Sequence, residues 1–248
     1  MDKVKMNRAF ESSEFSSELF EKIYPDGVEN SFWSWARNRI ILRVIEKYRA
    51  EPILDIGAGR GVVTCFLHKA GLKIDGVEIG KTNPIPSCFA NIKYSQDAFS
   101  LQNKGDYKAV ALFDVIEHVE DQIEFLKKIK ENFPNLVYLY ITVPARMELW
   151  SKFDEIQGHK LRYDLKTLKH HLESAGYKLV YSRYFFHLLY VPIFIFKKKR
   201  SENMTAPKNL FDIFFNRILG LYFLFEFSFI PGWVWGSSII AVACPFSS

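Results

Sequence analysis

Short apolar runs and longer amphipathic stretches alternate along most of this chain. The runs have the length of buried strands, and the stretches between them place apolar residues at helical spacing. Strands are predicted over 52–56, 73–78, 91–98, 108–113, 136–144, 177–184 and 237–244, and helices over 32–45, 62–70, 121–132 and 165–175. Because strands that alternate with helices build a mostly parallel sheet covered on both faces, the pattern predicts an α/β fold.

Two apolar stretches between the last two predicted strands break this alternation. The first, 185–196, is nearly all apolar but contains Pro192, and the second, 210–230, carries polar side chains around its helical turns. A membrane-spanning helix needs about 20 mainly apolar residues, so the first is too short and the second too polar. A spanning helix over 218–235 is least favoured, because Glu226 would lie at mid-membrane. We expect a helical lid that lies on a membrane or lines a lipophilic acceptor tunnel, or else a helix pair that buries an extended core.

The charge of the chain is mildly positive. Its 248 residues, enough for one α/β domain with elaborations, carry a formal net charge of +5. That charge is too small to indicate a nucleic-acid partner, and none is predicted. It is compatible with an anionic membrane surface, and the basic run 197–200 directly follows the first apolar stretch.

The cysteines and the first residues bear on the location of the protein. Cys65, Cys88 and Cys244 are far apart and show no C-x-x-C spacing. This pattern predicts buried free thiols in a reducing compartment. Residues 1–5 are polar and show no signal peptide. The predicted location is cytoplasmic, with peripheral contact at the inner face of the membrane.

A glycine-rich turn joins the first predicted strand to the helix after it. Gly57, Gly59 and Gly61 let the backbone adopt positive φ angles and let a ligand approach closely. Their spacing is G-x-G-x-G, whereas dinucleotide-binding folds use G-x-G-x-x-G. Asp55, just before the turn, would repel a pyrophosphate but suits a ligand with an amino group. Glu78, at the end of the second strand, suits ribose hydroxyls. These features favour S-adenosylmethionine over NAD.

Two motifs resemble those of a known enzyme family. The stretch 53–61 resembles motif I of class I S-adenosylmethionine-dependent methyltransferases. The stretch 114–119, acid-x-x-Glu-His-Val, resembles motif IV of the ubiquinone-biosynthesis-type (methyltransferase type 11) branch. The resemblance implies a doubly wound sheet of seven strands in the order 3-2-1-4-5-7-6, with strands six and seven antiparallel at one edge. It places a methyltransferase domain at 32–248, including a helical insert at about 185–232, after an N-terminal tail or helix at 1–31.

The resemblance also implies cofactor contacts outside the glycine turn. Arg37 matches the position of an arginine that touches the methionine carboxylate. Arg39 is the alternative for this contact, and the other reading of Arg37 is an ordinary arginine on the helix surface. Asp97 would accept the adenine amino group, unless it only caps a turn. Phe113 would flank the cofactor. The predicted cofactor-binding residues are Arg37, Asp55, Gly57, Gly59, Glu78, Asp97 and Phe113.

The segment 145–164 follows the fifth predicted strand and resembles a bacterial branch near the ubiquinone type. His159 is the best candidate general base, since an unperturbed imidazole has a pKa of about 6.5. Asp154 would orient it, and the alternative is a structural loop in which His159 caps the next helix. The predicted catalytic residues are His159, Asp154 and His118, and the predicted acceptor-binding residues are Arg162, Tyr163 and Trp150.

No metal ion is predicted. In some quinone O-methyltransferases the residues that match Asp114, Glu117 and His118 hold a divalent cation, and oxygen and imidazole ligands suit a metal. The same pattern occurs in many relatives without an assigned ion, and His118 could equally cap a helix or lie in the core.

The expected function is methyl transfer from S-adenosylmethionine to an oxygen or nitrogen of a small-molecule or lipid-like acceptor. Two alternatives stay open. One is a catalytically silent scaffold that binds S-adenosylmethionine, and the other is a nucleotide-linked oxidoreductase.

Overall fold

Within the described residues of the computed structural model, 17–196 and 205–246, seven strands form one central sheet. They are β1 (Ile53–Ile56), β2 (Ile74–Glu78), β3 (Ile92–Tyr94), β4 (Ala109–Phe113), β5 (Tyr138–Pro144), β6 (Tyr177–Phe185) and β7 (Ser238–Pro245). Their order is β3-β2-β1-β4-β5-β7-β6, which confirms the predicted fold.

The sheet is parallel except at one edge. β1 pairs in parallel with β2 and β4, so Asp55 lies beside Gly76 on one side and Ala111 on the other. β7 runs antiparallel to both β5 and β6. Because parallel strands end at the same edge of a sheet, the turns that follow β1, β2, β4 and β5 converge there.

Helices cover both faces of the sheet. They are α1 (Ser17–Ile23), α2 (Phe32–Lys47), α3 (Val62–Lys69), α4 (Gln122–Asn132), α5 (Lys152–Ile156), α6 (Leu165–Ser174), α7 (His187–Phe196) and α8 (Leu210–Phe229). Ile53 packs in the core beneath α2, α3 and α8, whereas its neighbour Leu54 packs in the core beneath α4 and α6. Successive strand residues point to opposite faces, so β1 must be apolar on both sides, which explains its unbroken apolar run.

The insert between β6 and β7 forms α7 and α8. One side of α8 packs against α2, with the rings of Phe223 and Phe32 stacked 5.6 Å apart. Glu226 is buried and accepts hydrogen bonds from the backbone N–H groups of His187 and Leu188 at 2.7 and 2.9 Å. It therefore caps the first turn of α7, which explains a carboxylate within an otherwise apolar helix.

The other side of the insert is exposed. Its exposed apolar side chains include Val191, Phe194, Ile195, Phe211, Phe214, Phe215, Phe225, Phe229, Trp233 and Trp235. The insert thus buries part of the core and also presents an apolar face. Among the described residues, no helix is both long enough and apolar enough to cross a bilayer. The basic run 197–200 lies outside the described residues.

Cys65 and Cys88 form a disulfide, so the prediction of free thiols was wrong for this pair. Their Cα atoms are 5.2 Å apart although 23 positions separate them in sequence. The loop after β2 folds back onto the glycine turn, where the N–H of Ile85 donates to the carbonyl of Arg60 at 2.9 Å. That contact brings Cys88 to the first turn of α3, a proximity that sequence spacing cannot reveal. Cys244, in β7, is free.

Candidate active site

A cavity of about 520 Å³ opens at the carboxyl edge of the sheet. The glycine turn 57–61, the end of β2, the turn after β4 and residues of α1 and α2 surround it. Its acidic lining residues are Asp55, Glu78, Asp97, Asp114, Glu120 and Asp121, and its arginines are Arg37 and Arg60. This excess of carboxylates favours a ligand that carries positive charge.

The glycine turn adopts a conformation that favours glycine. Gly57 and Gly59 have φ angles of +75° and +54°. A Cβ atom on Gly57 would lie 2.8 Å from a methyl group of Val115, because the turn after β4 packs directly against it. The N–H groups of Gly57 and Ala58 both donate to the carbonyl of Val77, at 2.9 and 3.0 Å. The turn is therefore fixed tightly, and both predicted glycines border the cavity.

Glu78 ends β2 at the cavity wall and is only 5% exposed. Its carboxylate accepts the N–H of Gly59 at 2.9 Å and the N–H of Gly80 at 2.7 Å. Burial raises the pKa of this carboxyl group, and the hydrogen bonds from Gly80 and Gly59 oppose the rise. The side chain thus connects the end of β2 to the glycine turn, with acceptor oxygens available to hydroxyl donors.

Asp55 is almost fully buried at the end of β1 and borders the cavity. One carboxylate oxygen accepts the hydroxyl of Thr64 at 2.6 Å, and the other has no partner among the described residues. Burial raises the pKa of Asp55 to about 7. A buried oxygen without a partner is costly, so this position suits a ligand that donates a hydrogen bond or brings positive charge.

The structure distinguishes the two arginines considered for the cofactor carboxylate. Arg37 borders the cavity and donates to Asp114 at 2.6 Å and to the hydroxyl of Thr142 at 2.9 Å. Arg39 instead stacks over the ring of Trp35, 3.7 Å from its centre, and does not border the cavity. Its position at the cavity therefore favours Arg37 over Arg39 as the residue that contacts the cofactor carboxylate. The guanidinium of Arg37 also forms an ion pair with Asp114.

Asp97 and Phe113 both border the cavity. The carboxylate of Asp97 accepts the N–H of Phe99 at 3.0 Å and caps a single 3-10 turn, Ala98–Ser100. The turn-capping alternative is thus present in the structure, and the adenine contact stays a prediction. Phe113 ends β4 and is 7% exposed.

On the acceptor side, the structure brings Asp154 and His159 together as predicted. Nδ1 of His159 lies 2.8 Å from the carboxylate of Asp154. Asp154 is fully buried and also accepts hydrogen bonds from the backbone and hydroxyl of Ser151 and from Nε of Arg162. Burial would raise its pKa, but His159 and Arg162 hold the pKa of Asp154 well below its usual range. Asp154 is therefore ionised and fixes the imidazole ring.

The predicted acceptor-binding residues do not border the cavity. Arg162 is buried and donates hydrogen bonds to Asp154 and, at 3.1 Å, to the carbonyl of Ala145. Tyr163 is fully buried in the core, with its hydroxyl 3.5 Å from the ring of His171. Trp150 is half-buried and also lies away from the cavity. Arg162 and Tyr163 hold the segment in place, because their polar groups face inward.

His118 borders the cavity, and its ring lies 4.8 Å from that of His159. Burial and the neighbouring His159 lower the pKa of His118 to about 3, so its ring is neutral near neutral pH. Glu117 is fully buried behind it, and burial, with the charge of Asp114, raises its pKa. Of the three residues that match a cation site in some quinone O-methyltransferases, Asp114 is paired with Arg37.

Sequence reasoning missed the part that α1 plays in the cavity. Phe20 and Tyr24, one helical turn apart, border the cavity, and Phe20 is buried. Arg60, in the glycine turn, donates to the carbonyl of Tyr24 at 2.6 Å and to the carboxylate of Asp26 at 2.7 Å. The available signal was two aromatic residues four apart in a polar segment.

A family model described as a methyltransferase domain matches residues 32–182, which is more than half of the chain. The chain belongs to this methyltransferase family. The resemblance to class I S-adenosylmethionine-dependent methyltransferases is confirmed, and the ubiquinone-biosynthesis-type branch is consistent with it. The protein is an enzyme that uses S-adenosylmethionine, and the oxidoreductase alternative is not supported. No curated protein matches the sequence.

Solved structures share the fold at low sequence identity. Phosphoethanolamine N-methyltransferase 2 of Haemonchus contortus, in complex with S-adenosyl-L-methionine, gives a TM-score of 0.53 at 15% identity, over 96% of this chain and 56% of that chain. Magnesium protoporphyrin IX methyltransferase of Synechocystis PCC 6803, with bound S-adenosylhomocysteine, gives 0.51 at 14%, over 98% and 100%. The cyclase SpnF gives 0.51 at 13%, over 98% and 92%. These similarities show the fold. The three proteins carry different names, two methyltransferases and a cyclase, so they do not identify the acceptor of this enzyme.

The cavity fits S-adenosylmethionine in three respects. The acid-rich lining suits a cationic sulfonium, and the unpaired oxygen of Asp55 suits an ammonium donor. The carboxylate of Glu78 suits ribose hydroxyls. The close packing at Gly57 leaves backbone, rather than a side chain, at the cavity wall.

Proposed function

We propose that this methyltransferase modifies an oxygen or nitrogen of a small, lipid-like acceptor. The observation that carries the proposal is the Asp154–His159 pair, whose imidazole lies against the ring of His118. His118 borders the cofactor cavity, whereas Asp154 and His159 lie behind it and do not border the cavity. His118 comes from the turn after β4, and His159 follows α5 in the segment after β5. The carboxyl edge of a doubly wound sheet is where such folds bind ligands.

Each side of this site has its own residues. S-adenosylmethionine supplies a methyl group on a positively charged sulfur. Glu78 and Asp55 bind its ribose and amino groups, Arg37 binds its carboxylate, and the glycine turn lets it approach the backbone. On the acceptor side the residues align the nucleophile and provide for loss of its proton.

Loss of the proton is assigned to the pair His118 and His159. Asp154 is a positioning residue: as an ionised carboxylate it only accepts, so Nδ1 of His159 carries the hydrogen and Nε2 presents a lone pair. His118 is neutral and lines the cavity. The low pKa of His118 keeps its ring neutral but makes it a weak base, so the test concerns His159.

Replacement of His159 tests this assignment. His159→Ala should lower turnover by about 10²- to 10⁴-fold and leave the affinity for S-adenosylhomocysteine unchanged. The control is His68→Ala, because His68 is exposed on α3 and does not border the cavity. The assay follows S-adenosylhomocysteine release with a lipid extract as acceptor source. Normal turnover of His159→Ala would refute the assignment.

The lipid-like character of the acceptor rests on the apolar face of α7, α8 and the turn after α8. Phe211 and Phe229 are 68% and 70% exposed, and Trp233 is 75% exposed. A contiguous exposed apolar surface indicates an interaction site, and tryptophan favours the membrane–water boundary. We assign this face to an anionic lipid surface, because the basic run 197–200 follows α7 in the sequence and each such residue adds about 1 kcal/mol near anionic lipid.

Vesicle co-sedimentation tests the lipid contact. The enzyme should bind vesicles that contain phosphatidylserine, bind neutral vesicles weakly, and be released by salt. Phe211→Ser combined with Trp233→Ser should reduce binding. The matched control is Phe89→Ser, because Phe89 is 79% exposed but lies outside this face. Equal binding of the control and the double variant would contradict the assignment, and release only by detergent would indicate insertion.

A further inference from the structure

The loop after β2, residues 79–91, is joined to the cofactor side of the sheet by the disulfide between Cys88 and Cys65. Cys65 lies in the first turn of α3, directly after the glycine turn. We propose that this disulfide is a thiol–disulfide exchange site, at which a dithiol reductant releases the loop and lowers the affinity of the enzyme for S-adenosylmethionine. Cofactor binding thereby responds to the redox state of the surroundings.

Both sulfur atoms of the disulfide lie against the glycine turn. A Cβ atom on Gly61 would lie 2.9 Å from Sγ of Cys65 and 3.2 Å from Sγ of Cys88. Gly61 is the N-cap residue of α3, and its φ angle is +79°. The disulfide therefore fixes the loop at the point where the glycine turn enters the helix, and a displaced loop changes the packing of that turn.

Backbone contacts connect the loop to two residues of the cavity wall. The N–H of Ile85 donates to the carbonyl of Arg60 at 2.9 Å, and Nε of Arg60 donates to the carbonyl of Asn83 at 3.1 Å. The N–H of Gly80, at the start of the loop, donates to the carboxylate of Glu78 at 2.7 Å. Arg60 and Glu78 both border the cavity, so the position of the loop affects the cofactor site directly.

The loop also holds the N-terminal segment that borders the cavity. The hydroxyl of Ser17 donates to the carbonyl of Lys81 at 2.7 Å. The hydroxyl of Ser87 donates to the carboxylate of Glu29 at 3.1 Å. These contacts lie at the two ends of the segment 17–29, whose aromatic side chains border the cavity. Release of the loop therefore loosens a second part of the cavity wall.

The disulfide is the main constraint on the conformation of the loop. The chain forms no helix or strand from 79 to 91, and of these residues only Gly80 and Ile85 are buried. A cross-link removes conformations that such a loop would otherwise explore. If the cofactor binds only when the loop is docked, its affinity falls in proportion to the docked fraction. A released loop that is docked about a tenth of the time would give about tenfold weaker binding.

The exposure of the two cysteines determines how the exchange proceeds. Cys88 is half-buried whereas Cys65 is only 2% exposed, so a thiolate of the reductant attacks Sγ of Cys88. The bond between the two sulfur atoms breaks as a mixed disulfide forms, and Cys65 leaves as a thiolate that takes up a proton. The second thiol of the reductant then displaces Cys88. The dithiol is oxidised to a disulfide, and the enzyme gains two thiols.

Calorimetric titration of the full chain with S-adenosylhomocysteine tests the proposal. The enzyme is purified without reductant, and one half is treated with dithiothreitol. Alkylation in denaturant, followed by mass spectrometry, should modify one of the three cysteines before reduction and all three afterwards. The reduced enzyme should bind S-adenosylhomocysteine about tenfold more weakly, and removal of dithiothreitol in air should restore the affinity.

Cysteine variants locate the effect. Cys88→Ser and Cys65→Ser should each bind like the reduced enzyme, with or without dithiothreitol. The matched control is Cys244→Ser, because Cys244 is free, lies in β7 and does not border the cavity. It should respond to dithiothreitol as the wild type does. Circular dichroism verifies that each variant is folded, and the reduced wild type provides the same comparison without any substitution.

Several outcomes would overturn the proposal. One is equal affinity of the oxidised and reduced enzyme when alkylation shows that the disulfide has been reduced. A melting temperature that falls on reduction without a change in affinity would likewise assign the disulfide a purely structural role. A purified enzyme with all its cysteines free, or a disulfide that dithiothreitol leaves intact in the folded enzyme, would also refute it. These results do not depend on the acceptor, so they leave the proposed function to its own tests.

Discussion

Glu78 offers the sharpest test of the cofactor site, because its carboxylate serves two partners before any ligand binds. It accepts the N–H of Gly59 at 2.9 Å and the N–H of Gly80 at 2.7 Å. Glu78→Gln keeps the shape of the side chain but replaces one acceptor oxygen with an NH₂ group, which faces a backbone donor. One buried N–H then loses its partner, which costs about 1–3 kcal/mol. We expect the free energy of unfolding in urea to fall by that amount.

The same change should weaken cofactor binding. A ribose hydroxyl that loses its carboxylate acceptor in a desolvated pocket costs about 2–3 kcal/mol, which is roughly 30- to 150-fold in Kd. Titration calorimetry with S-adenosylhomocysteine measures it. Asp75→Asn is the matched control, because Asp75 lies in the same strand, bonds Asn91 and Tyr107, and does not border the cavity. An affinity for Glu78→Gln within about twofold of the wild type, or an equal loss in the control, would refute the cofactor assignment.

Three other changes test the cavity walls. Burial raises the pKa of Asp55 from 3.8 to about 7, so its contribution to stability is complete below pH 3.8 and is lost as the pH rises through about 7. Asp55→Asn should therefore flatten the fall in unfolding free energy across that window, and an unchanged pH profile would contradict this. Gly57→Ala should destabilise the fold more than Gly71→Ala in urea unfolding: both glycines have positive φ, but only at Gly57 would the new Cβ meet a neighbour. Arg60→Gln should weaken S-adenosylhomocysteine binding about tenfold in calorimetry, since Arg60 connects the residue after α1 to the glycine turn. Unchanged affinity would contradict this role of Arg60.

The parts of the molecule that were predicted correctly are those determined by local pattern. A βα unit fixes where its strand ends, so the residues that follow an apolar run must lie at the carboxyl edge of the sheet. Asp55 and Glu78 were placed at the cavity for this reason, and Phe113 was placed there by the resemblance. All three border the cavity in the structure. The strand order followed from the resemblance and not from the pattern alone.

The parts that were missed depend on contacts between distant segments. Phe20 in α1 and Tyr24, directly after it, both border the cavity. Their spacing in a polar segment suggests a buried face but does not show which part of the fold that face will meet. The disulfide joins Cys65 to Cys88 across a loop whose path follows from the fold. Hydrophobic periodicity reports which face of an element is buried, and it does not report what covers that face.

The acceptor segment shows why a residue's chemistry does not by itself indicate its role. Arg162, Tyr163 and Asp154 all have side chains that bind substrates in other enzymes, yet each is at most 5% exposed here. Asp154 is the centre of the arrangement: Arg162 neutralises it from one side and His159 bonds it from the other. If Arg162 bound the acceptor, Asp154 would lose that hydrogen bond and its pKa would rise, since Arg162 helps to hold it down. The segment therefore commits several reactive side chains to orienting one imidazole, that of His159.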